Sequence, residues 1–224
     1  MMTRDFGLSE LLFVLGAMRW TILLSLIAFA CGCVIGLLVA VLRTVPFAPL
    51  RWLMTGYIQL FQGTPVLMQL FIAFYGIAVL FGVQLSPWPA VTIAFTLYAA
   101  AFLGEIWRGC IQAIPRGQWE AGRSLALNYA DLLRFIILPQ AFRIAIAPTV
   151  GFMVQLIKGT SIAAIIGFIE LTRAGQLMVN VTFQPMIVYP VIACCYFALC
   201  WPLSVLSQRL EKRIDAGLTQ NASV

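Results

Sequence analysis

The residues that could do chemistry in this chain are few, and they lie in short polar interruptions of long apolar runs. The 224-residue sequence contains no histidine, which removes the usual imidazole proton relay and most zinc chemistry. It also lacks the GxxxxGK(S/T) loop that cradles nucleotide phosphates. The six cysteines fall in or beside apolar runs without metal-ligand spacing, so we interpret them as buried packing residues. We therefore expect no catalytic residue, no metal site and no cofactor bound by this chain.

Segment 117–140 is the most polar stretch of its length between two apolar blocks. Its charged side chains are Glu120, Arg123, Asp131 and Arg134. One apolar stripe at helical spacing consists of Leu125, Tyr129, Leu132 and Ile136. Asn128 and Asp131 have the spacing of a helix N-cap and its third residue, so we expect two short helices joined near residues 126–128. Such a segment would lie across a membrane boundary, with its polar face offered to water or to a partner.

A second polar interruption divides the apolar block 52–83, which is too long for one plain membrane crossing. Its candidate residues are Gln62, Gly63, Thr64, Pro65 and Gln69. Pro65 removes a helix hydrogen bond and disfavours helical backbone at Thr64, which predicts a kink or break there. Two interpretations stay open, a packing kink in a tilted helix and a mobile gate beside a water-filled cavity.

Two further polar groups interrupt the later apolar runs. Glu105 lies near the end of the run 90–110, where a carboxylate either pairs locally, here with Arg108, or lines a pathway. The other group is Lys158, Gly159, Thr160 and Ser161. We expect this group to break the helix before it. The apolar run that follows, 162–169, is too short to span and is interpreted as a re-entrant or outer-surface piece.

The elements that must position these groups are membrane helices, because the chain is 62% hydrophobic and only 10% charged. Crossing a bilayer takes roughly 20 apolar residues, which predicts an all-α membrane protein with about five transmembrane helices. The expected crossings are 20–42, 52–83, 90–110, 141–157 and 186–206. We expect an interfacial helix in 1–19, a transmembrane domain in 20–207 and a tail in 208–224. Gly32 and Gly36 form a GxxxG motif that predicts close helix packing.

Basic residues set the expected orientation. Arginine and lysine cluster at 43–51, 108–134 and 209–213, whereas the loop 81–89 carries no charge. Counting them by the positive-inside rule places the N-terminus outside and both segment 117–140 and the C-terminus in the cytoplasm. Lys158 and Arg173 fall on the outer side, against that rule. The net charge of +6 is interpreted as this topology signal, so we expect membrane lipid and no nucleic acid as a partner.

Several ordered blocks resemble one family. Glu120-Ala121-Gly122, followed by Leu138-Pro139-Gln140-Ala141, resembles the EAA loop in permease subunits of ATP-binding-cassette (ABC) importers, and more specifically the polar amino acid permeases. Four further blocks agree with that pattern, at 60–67, 105–109, 111–118 and 158–173. The resemblance runs from about residue 21 to residue 213, nearly the whole chain.

This resemblance implies the type I ABC importer permease fold, with a cytoplasmic coupling helix, in the bacterial plasma (inner) membrane. It also implies ATP-driven import of a polar L-amino acid. The implied partners are two cytoplasmic ATP-binding cassette subunits that carry ATP and Mg, a second identical or paralogous permease subunit, and an extracytoplasmic amino-acid-binding protein. The implied ATPase-coupling residues are Gln118, Glu120, Ala121, Gly122, Arg123, Ser124, Ala126, Leu127 and Asn128. The implied substrate pathway or gate consists of Gln62, Gly63, Thr64, Pro65, Gln69, Glu105, Lys158, Gly159, Thr160 and Ser161.

Two departures from the family pattern carry expectations of their own. Ala126 stands where the family usually has glycine, and alanine resists a left-handed turn, so we expect a tighter, shifted or partly straightened turn. Gly159 stands where the family often has an acidic residue, which disfavours arginine, lysine or histidine as the substrate. An alternative of another class also stays open, an ion-coupled secondary carrier or channel that uses Glu105.

Overall fold

The chain folds as an all-helical bundle. The computed structural model describes the backbone of residues 5–222, and the side chains of residues 5–212 and 214. Parts of the predicted segments 1–19 and 208–224, namely residues 1–4 and 223–224, lie outside the described residues. The helices are α1 (Leu8–Leu42), α2 (Ala48–Gly63), α3 (Val66–Phe71), α4 (Ile77–Phe81), α5 (Pro87–Gln112), α6 (Arg116–Ser124), α7 (Tyr129–Asp131), α8 (Leu138–Gly159), α9 (Leu171–Thr182) and α10 (Pro185–Ala222). Turns of π-helix at Ile72–Gly76 and Leu132–Ile137 join α3 to α4 and α7 to α8.

Four of the described helical stretches are long and apolar enough to cross a membrane, and a fifth crossing is possible as a bent pair. The four are Leu8–Leu42, Pro87–Gln112, Tyr129–Ile166 and Pro185–Lys212. The bent pair joins Ala48–Gly63 to Val66–Phe81 at 105°. The prediction of an all-α membrane protein with about five spans is therefore confirmed.

The first helix is not divided where the sequence suggested. We expected an interfacial helix in 1–19 and a separate span from residue 20, but α1 runs unbroken from Leu8 to Leu42. Its start is stabilised by Glu10, whose carboxylate accepts a hydrogen bond from the Gly7 N–H at 3.0 Å. The helix contains no proline, and Gly16, the glycine nearest the expected boundary, is not enough to break it.

Helices α1 and α5 run parallel and pack closely. A Cβ atom on Gly32 would lie 2.6 Å from the Ala99 Cβ, and one on Gly36 would lie 3.1 Å from the Ala100 carbonyl oxygen. The predicted role of this GxxxG motif in close packing is confirmed. At one end of the pair Trp20 packs edge-on against Trp88 with ring centroids 5.6 Å apart. At the other end Arg43 pairs with Glu105, and we term this the α6 end because α6 follows α5 there.

The fourth predicted crossing, 141–157, is longer than expected at both ends. The helical stretch begins at Tyr129 and passes through the π-helical turn and α8, so the second short helix predicted in segment 117–140 is the start of a span. The group at 158–161 does not break it either. Instead the helix tightens to 3₁₀ geometry over Thr160–Ile166, where the Thr160 hydroxyl donates to the Ile157 carbonyl at 2.7 Å. Gly167 then ends the stretch in a left-handed conformation with φ of 83°.

The last two helices also differ from the expectation. Residues 171–182, which lie outside every expected crossing, make the helix α9, which packs with α10 against α1 around Val14, Leu171 and Val188. Helix α10 continues to Ala222, so the predicted boundary at residue 207 is not a helix boundary. The central core lies between α1, α3, α5 and α8, with Phe95 fully buried in it.

Candidate functional site

The predicted coupling segment contains a short helix followed by a left-handed turn. Helix α6 ends at Ser124, and Ala126 has a φ of 57°. The Ala126 N–H donates to the Arg123 carbonyl at 2.9 Å, and the Leu127 N–H donates to the Gly122 carbonyl at 3.2 Å. This pair of bonds is the Schellman arrangement that satisfies the last carbonyls of a helix.

Alanine occupies the position in this turn that favours glycine. The expected shift or partial straightening of the turn is wrong, because Ala126 adopts the left-handed conformation and the two hydrogen bonds of the Schellman arrangement hold it there. This conformation costs an L-residue with a Cβ roughly 1–2 kcal/mol. The turn therefore stores strain next to the most exposed helix of the α6 end.

The second half of the turn is capped as predicted. The Asn128 side-chain oxygen accepts a hydrogen bond from the Asp131 N–H at 2.9 Å, and the Asn128 amide nitrogen donates to the Asp131 carboxylate at 2.6 Å. The first bond satisfies a free backbone donor at the start of the helical stretch that begins at Tyr129, and the second holds the two side chains together. The N-cap prediction for Asn128 is confirmed.

Helix α6 is seated on the bundle through a glycine. A Cβ atom on Gly122 would lie 2.2 Å from the Leu132 Cδ1, and Gly122 is the buried residue of α6. Leu132 is only 1% exposed and belongs to an apolar cluster with Ile114 and Ile137. The α6 backbone at Gly122 therefore contacts the Leu132 side chain directly, and this contact sets the distance between α6 and the bundle.

Most of the predicted coupling residues form one exposed surface, which we term the α6 face. Its residues are Gln118, Glu120, Ala121, Arg123, Ser124, Ala126 and Asn128. Two predicted members do not belong to it, since Gly122 is buried and Leu127 is half-buried. The predicted apolar stripe is also interrupted, because the turn leaves Leu125 73% exposed while Leu132 is buried. The α6 face is polar, carries charges of both signs and can bind a complementary protein surface.

The predicted break in the second apolar block is present. Helix α2 ends at Gly63, and Thr64 and Pro65 are extended before α3 begins. The Gln69 side-chain nitrogen donates to the Phe61 carbonyl at 2.8 Å and to the Thr64 carbonyl at 3.0 Å. This amide replaces helix bonds that Pro65 removes.

The residues of the break differ in accessibility. Gln62, Gly63 and Thr64 are exposed, whereas Gln69 is only 8% exposed. The Gln69 side-chain oxygen is buried without a hydrogen-bond partner among the described residues. Gln69 therefore holds the bend in this conformation, and its place among the pathway or gate residues stays a prediction.

Glu105 pairs locally. Its carboxylate accepts hydrogen bonds from Arg43 and from Arg108, whose Nε lies 2.9 Å from the Glu105 Oε2. The partner that the sequence suggested, Arg108, is present, and the second partner, Arg43, comes from α1. With two guanidinium groups on one carboxylate, Glu105 has no free charge to attract an ammonium group.

The predicted group at 158–161 is partly accessible. Lys158 is exposed, Gly159 and Ser161 are half-buried, and Thr160 is fully buried. The Ser161 hydroxyl donates back to the Lys158 carbonyl at 2.8 Å. The 3₁₀ segment that begins at Thr160 contacts α3, so this group lies near the broken helix. The contact joins the segment that begins at Thr160 to the helix that contains Gln69, whereas Glu105 lies at the α6 end with Arg43.

One buried carboxylate has a larger structural role than the sequence indicated. Glu170 is fully buried and caps α9, accepting from the Thr172 N–H at 2.8 Å and the Arg173 N–H at 2.9 Å. The Tyr196 hydroxyl on α10 also donates to it at 2.8 Å. Burial raises the pKa of Glu170, and these hydrogen bonds oppose that rise. An acidic residue directly before a helix was the available signal for this cap.

Together these features define a multi-pass α-helical membrane permease with the type I ABC importer fold. The chain belongs to the family described as the binding-protein-dependent transport system inner membrane component, whose family model matches residues 32–216. It is the permease component of an amino-acid ABC importer. The sequence-based resemblance to amino-acid permeases is thereby confirmed.

Individual relatives agree with this assignment. The L-cystine transport system permease protein TcyB of Bacillus subtilis is 38% identical over 201 residues, covering 89% of this chain and 86% of the relative. The probable glutamine ABC transporter permease protein GlnM of the same organism is 36% identical, covering 87% of this chain and 90% of the relative. A crystal structure of an amino acid ABC transporter with histidines superposes with a TM-score of 0.84 and 30% identity, covering 90% and 94% of the two chains. The inward-facing MetNI methionine ABC transporter shares the fold, with a TM-score of 0.79 and 18% identity over 93% and 99%.

Proposed function

We propose that this permease imports a polar L-amino acid without a cationic side chain, and that α6 couples it to a separate ATPase. The observation that carries the coupling role is the combination of an exposed α6 face with a rigid seat at Gly122. A rigid helix fixed to a span can convert closure of a motor protein into tilting of that span. ATP and Mg are bound by the ATPase subunits in this proposal.

The orientation follows from the same proposal. The α6 end faces the cytoplasm, because the ATPase subunits work there and because Arg43 and Arg108 cluster at that end. The N-terminus of α1 then lies outside, where an amino-acid-binding protein delivers substrate. A second permease subunit, identical or paralogous, completes the pathway, since polar residues such as Gln62 and Lys158 are exposed on this chain and avoid lipid.

The substrate class rests on the charges near the broken helix. Lys158 is exposed there, whereas the acidic position that the family often has is Gly159. A cationic substrate side chain would be repelled by the like charge of Lys158, with no carboxylate nearby to offset the repulsion. A neutral or anionic side chain would not be repelled. Relatives named for L-cystine and glutamine, at 38% and 36% identity, agree with a substrate of this kind. A relative named for arginine is less similar, at 28% identity.

The alternative carrier or channel would need a free carboxylate at Glu105. That version predicts gradient-driven uptake into vesicles without ATP and complete loss of uptake in Glu105→Gln. The geometry favours the importer instead, because Arg43 and Arg108 already occupy the Glu105 carboxylate.

The test is an amino-acid screen with the complete complex in proteoliposomes. We expect ATP hydrolysis stimulated by the loaded binding protein with neutral polar amino acids, and none with arginine or lysine. A Gly159→Asp variant restores the missing carboxylate, and there is room for it because a Cβ there meets its nearest atom, on Phe95, at 3.5 Å. A binding protein loaded with arginine that stimulates the wild-type complex as strongly as glutamine would refute the substrate assignment.

A further inference from the structure

The turn after α1 is tied to the segment that follows α6. The Tyr129 hydroxyl donates a hydrogen bond to the Thr44 carbonyl at 2.6 Å, although the two residues are 85 positions apart. Thr44 is itself held by two bonds to the Val41 carbonyl, from its N–H at 2.9 Å and from its hydroxyl at 2.7 Å. A displacement of Tyr129 therefore moves the end of α1 instead of a loose loop.

Tyr129 is also fixed to α6 by its ring. The rings of Trp119, in the middle of α6, and Tyr129 stack with centroids 6.4 Å apart and planes 26° apart. Both side chains belong to the apolar cluster beneath α6. Aromatic pairs of this kind add to the stability of their contact beyond simple area burial. The tyrosine thus touches α6 with its ring and the α1 turn with its hydroxyl.

Arg43, the residue before Thr44, connects the same turn to α5. Arg43 pairs with Glu105, which also pairs with Arg108 on α5 itself. The same turn leads directly into α2, which ends at the break at Thr64. The turn therefore links α6, α5 and the broken helix through two neighbouring residues, Arg43 and Thr44.

We propose that motion of α6, which the chain already joins to α5 and to α8, also enters the bundle through Tyr129 into the α1–α2 turn. This inference rests on the proposed coupling role of α6 and assigns Tyr129 as a positioning residue. The second contact moves α2 and the break together with α5, so that the gate responds to the ATPase. Without it, α6 acts on α5 and α8 through the chain, and the gate follows only loosely.

The experiment compares Tyr129→Phe with the wild-type complex in proteoliposomes, measuring amino acid transported per ATP hydrolysed. Phenylalanine keeps the ring against Trp119 and removes only the hydroxyl donor. We expect the ratio to fall about fivefold, the factor that one net hydrogen bond is worth. Arg43→Gln, which leaves Arg108 on Glu105, is expected to lower the ratio as well.

The matched control is Tyr189→Phe, an identical change at an exposed tyrosine of α10 whose hydroxyl donates no hydrogen bond among the described residues. We expect the wild-type ratio there. A purely structural role for Tyr129 would reduce the melting temperature and the yield of complex and leave the ratio unchanged, and that result would overturn the inference. Failure of the proposed coupling role is distinguishable, because in that case a Glu120→Lys complex also transports like the wild type.

Discussion

Replacing Ala126 with glycine is expected to stabilise the protein. Ala126 has a φ of 57°, a conformation that costs alanine roughly 1–2 kcal/mol and costs glycine almost nothing. Glycine also has greater conformational freedom in the unfolded chain, and this entropy offsets about 0.4–1 kcal/mol of the stability gained by removing the strain. The net expectation is about 1 kcal/mol of added stability, with no change in packing because the Ala126 side chain is exposed.

The assay is thermal unfolding of the purified protein in detergent, with Ala121→Gly as the matched control. For a chain of this size about 1 kcal/mol shifts the melting temperature by about 2–4 °C. Ala121 is also exposed but lies inside α6, so glycine there should cost about 1 kcal/mol of helix propensity. The two variants should move the melting temperature in opposite directions. If Ala126→Gly lowered it as Ala121→Gly does, the left-handed turn would be refuted.

Two further predictions concern glycines in close contact. Gly122→Ala places a Cβ 2.2 Å from the Leu132 Cδ1, so it should be about 1–3 kcal/mol less stable than Gly117→Ala, where nothing lies within 4 Å. Gly32→Ala, pressed against α5, should likewise be less stable than Gly16→Ala on the same helix, by about 1–3 kcal/mol. Both pairs are compared by thermal unfolding in detergent.

Each pair has a result that contradicts the packing argument. In Gly117→Ala and Gly16→Ala the new Cβ atom meets nothing within 4 Å, and alanine has the higher helix propensity. These variants should therefore leave the melting temperature unchanged or raise it. Equal melting temperatures for Gly122→Ala and Gly117→Ala would mean that α6 is not seated on Leu132. Equal values for the other pair would mean that α1 and α5 are farther apart than the structure places them.

Structural features that depend on neighbouring residues could be predicted from the sequence. Pro65 lacks a backbone N–H and restricts the residue before it, so the break at Thr64 could be predicted from two residues. The cap at Asn128 also depends on a spacing within one turn of helix. The length and apolarity of the runs were enough to predict the membrane bundle.

Contacts between distant parts of the chain could not be predicted in the same way. Periodicity says nothing about which residue on another helix meets Glu105, and its partner Arg43 lies 62 positions away. Helix continuity was also misjudged at α1 and at 158–161, because polar side chains inside a helix satisfy their own backbone or a neighbour and need not end it. Ala126 shows a different limit, since the local hydrogen bonds of the Schellman turn outweigh the preference of alanine against a left-handed conformation.

The central claim is that the α6 face couples this permease to its ATPase, and Glu120→Lys tests it most directly. The Glu120 side chain is exposed on α6, so reversing its charge should disturb docking while the bundle stays folded. The measurement is ATP hydrolysis stimulated by the loaded binding protein in proteoliposomes, with Glu211→Lys on α10 as the control of equal charge. We expect Glu120→Lys to lose stimulated hydrolysis by about tenfold or more, and the control to retain it. A Glu120→Lys complex that assembles and transports like the wild type would contradict the coupling role.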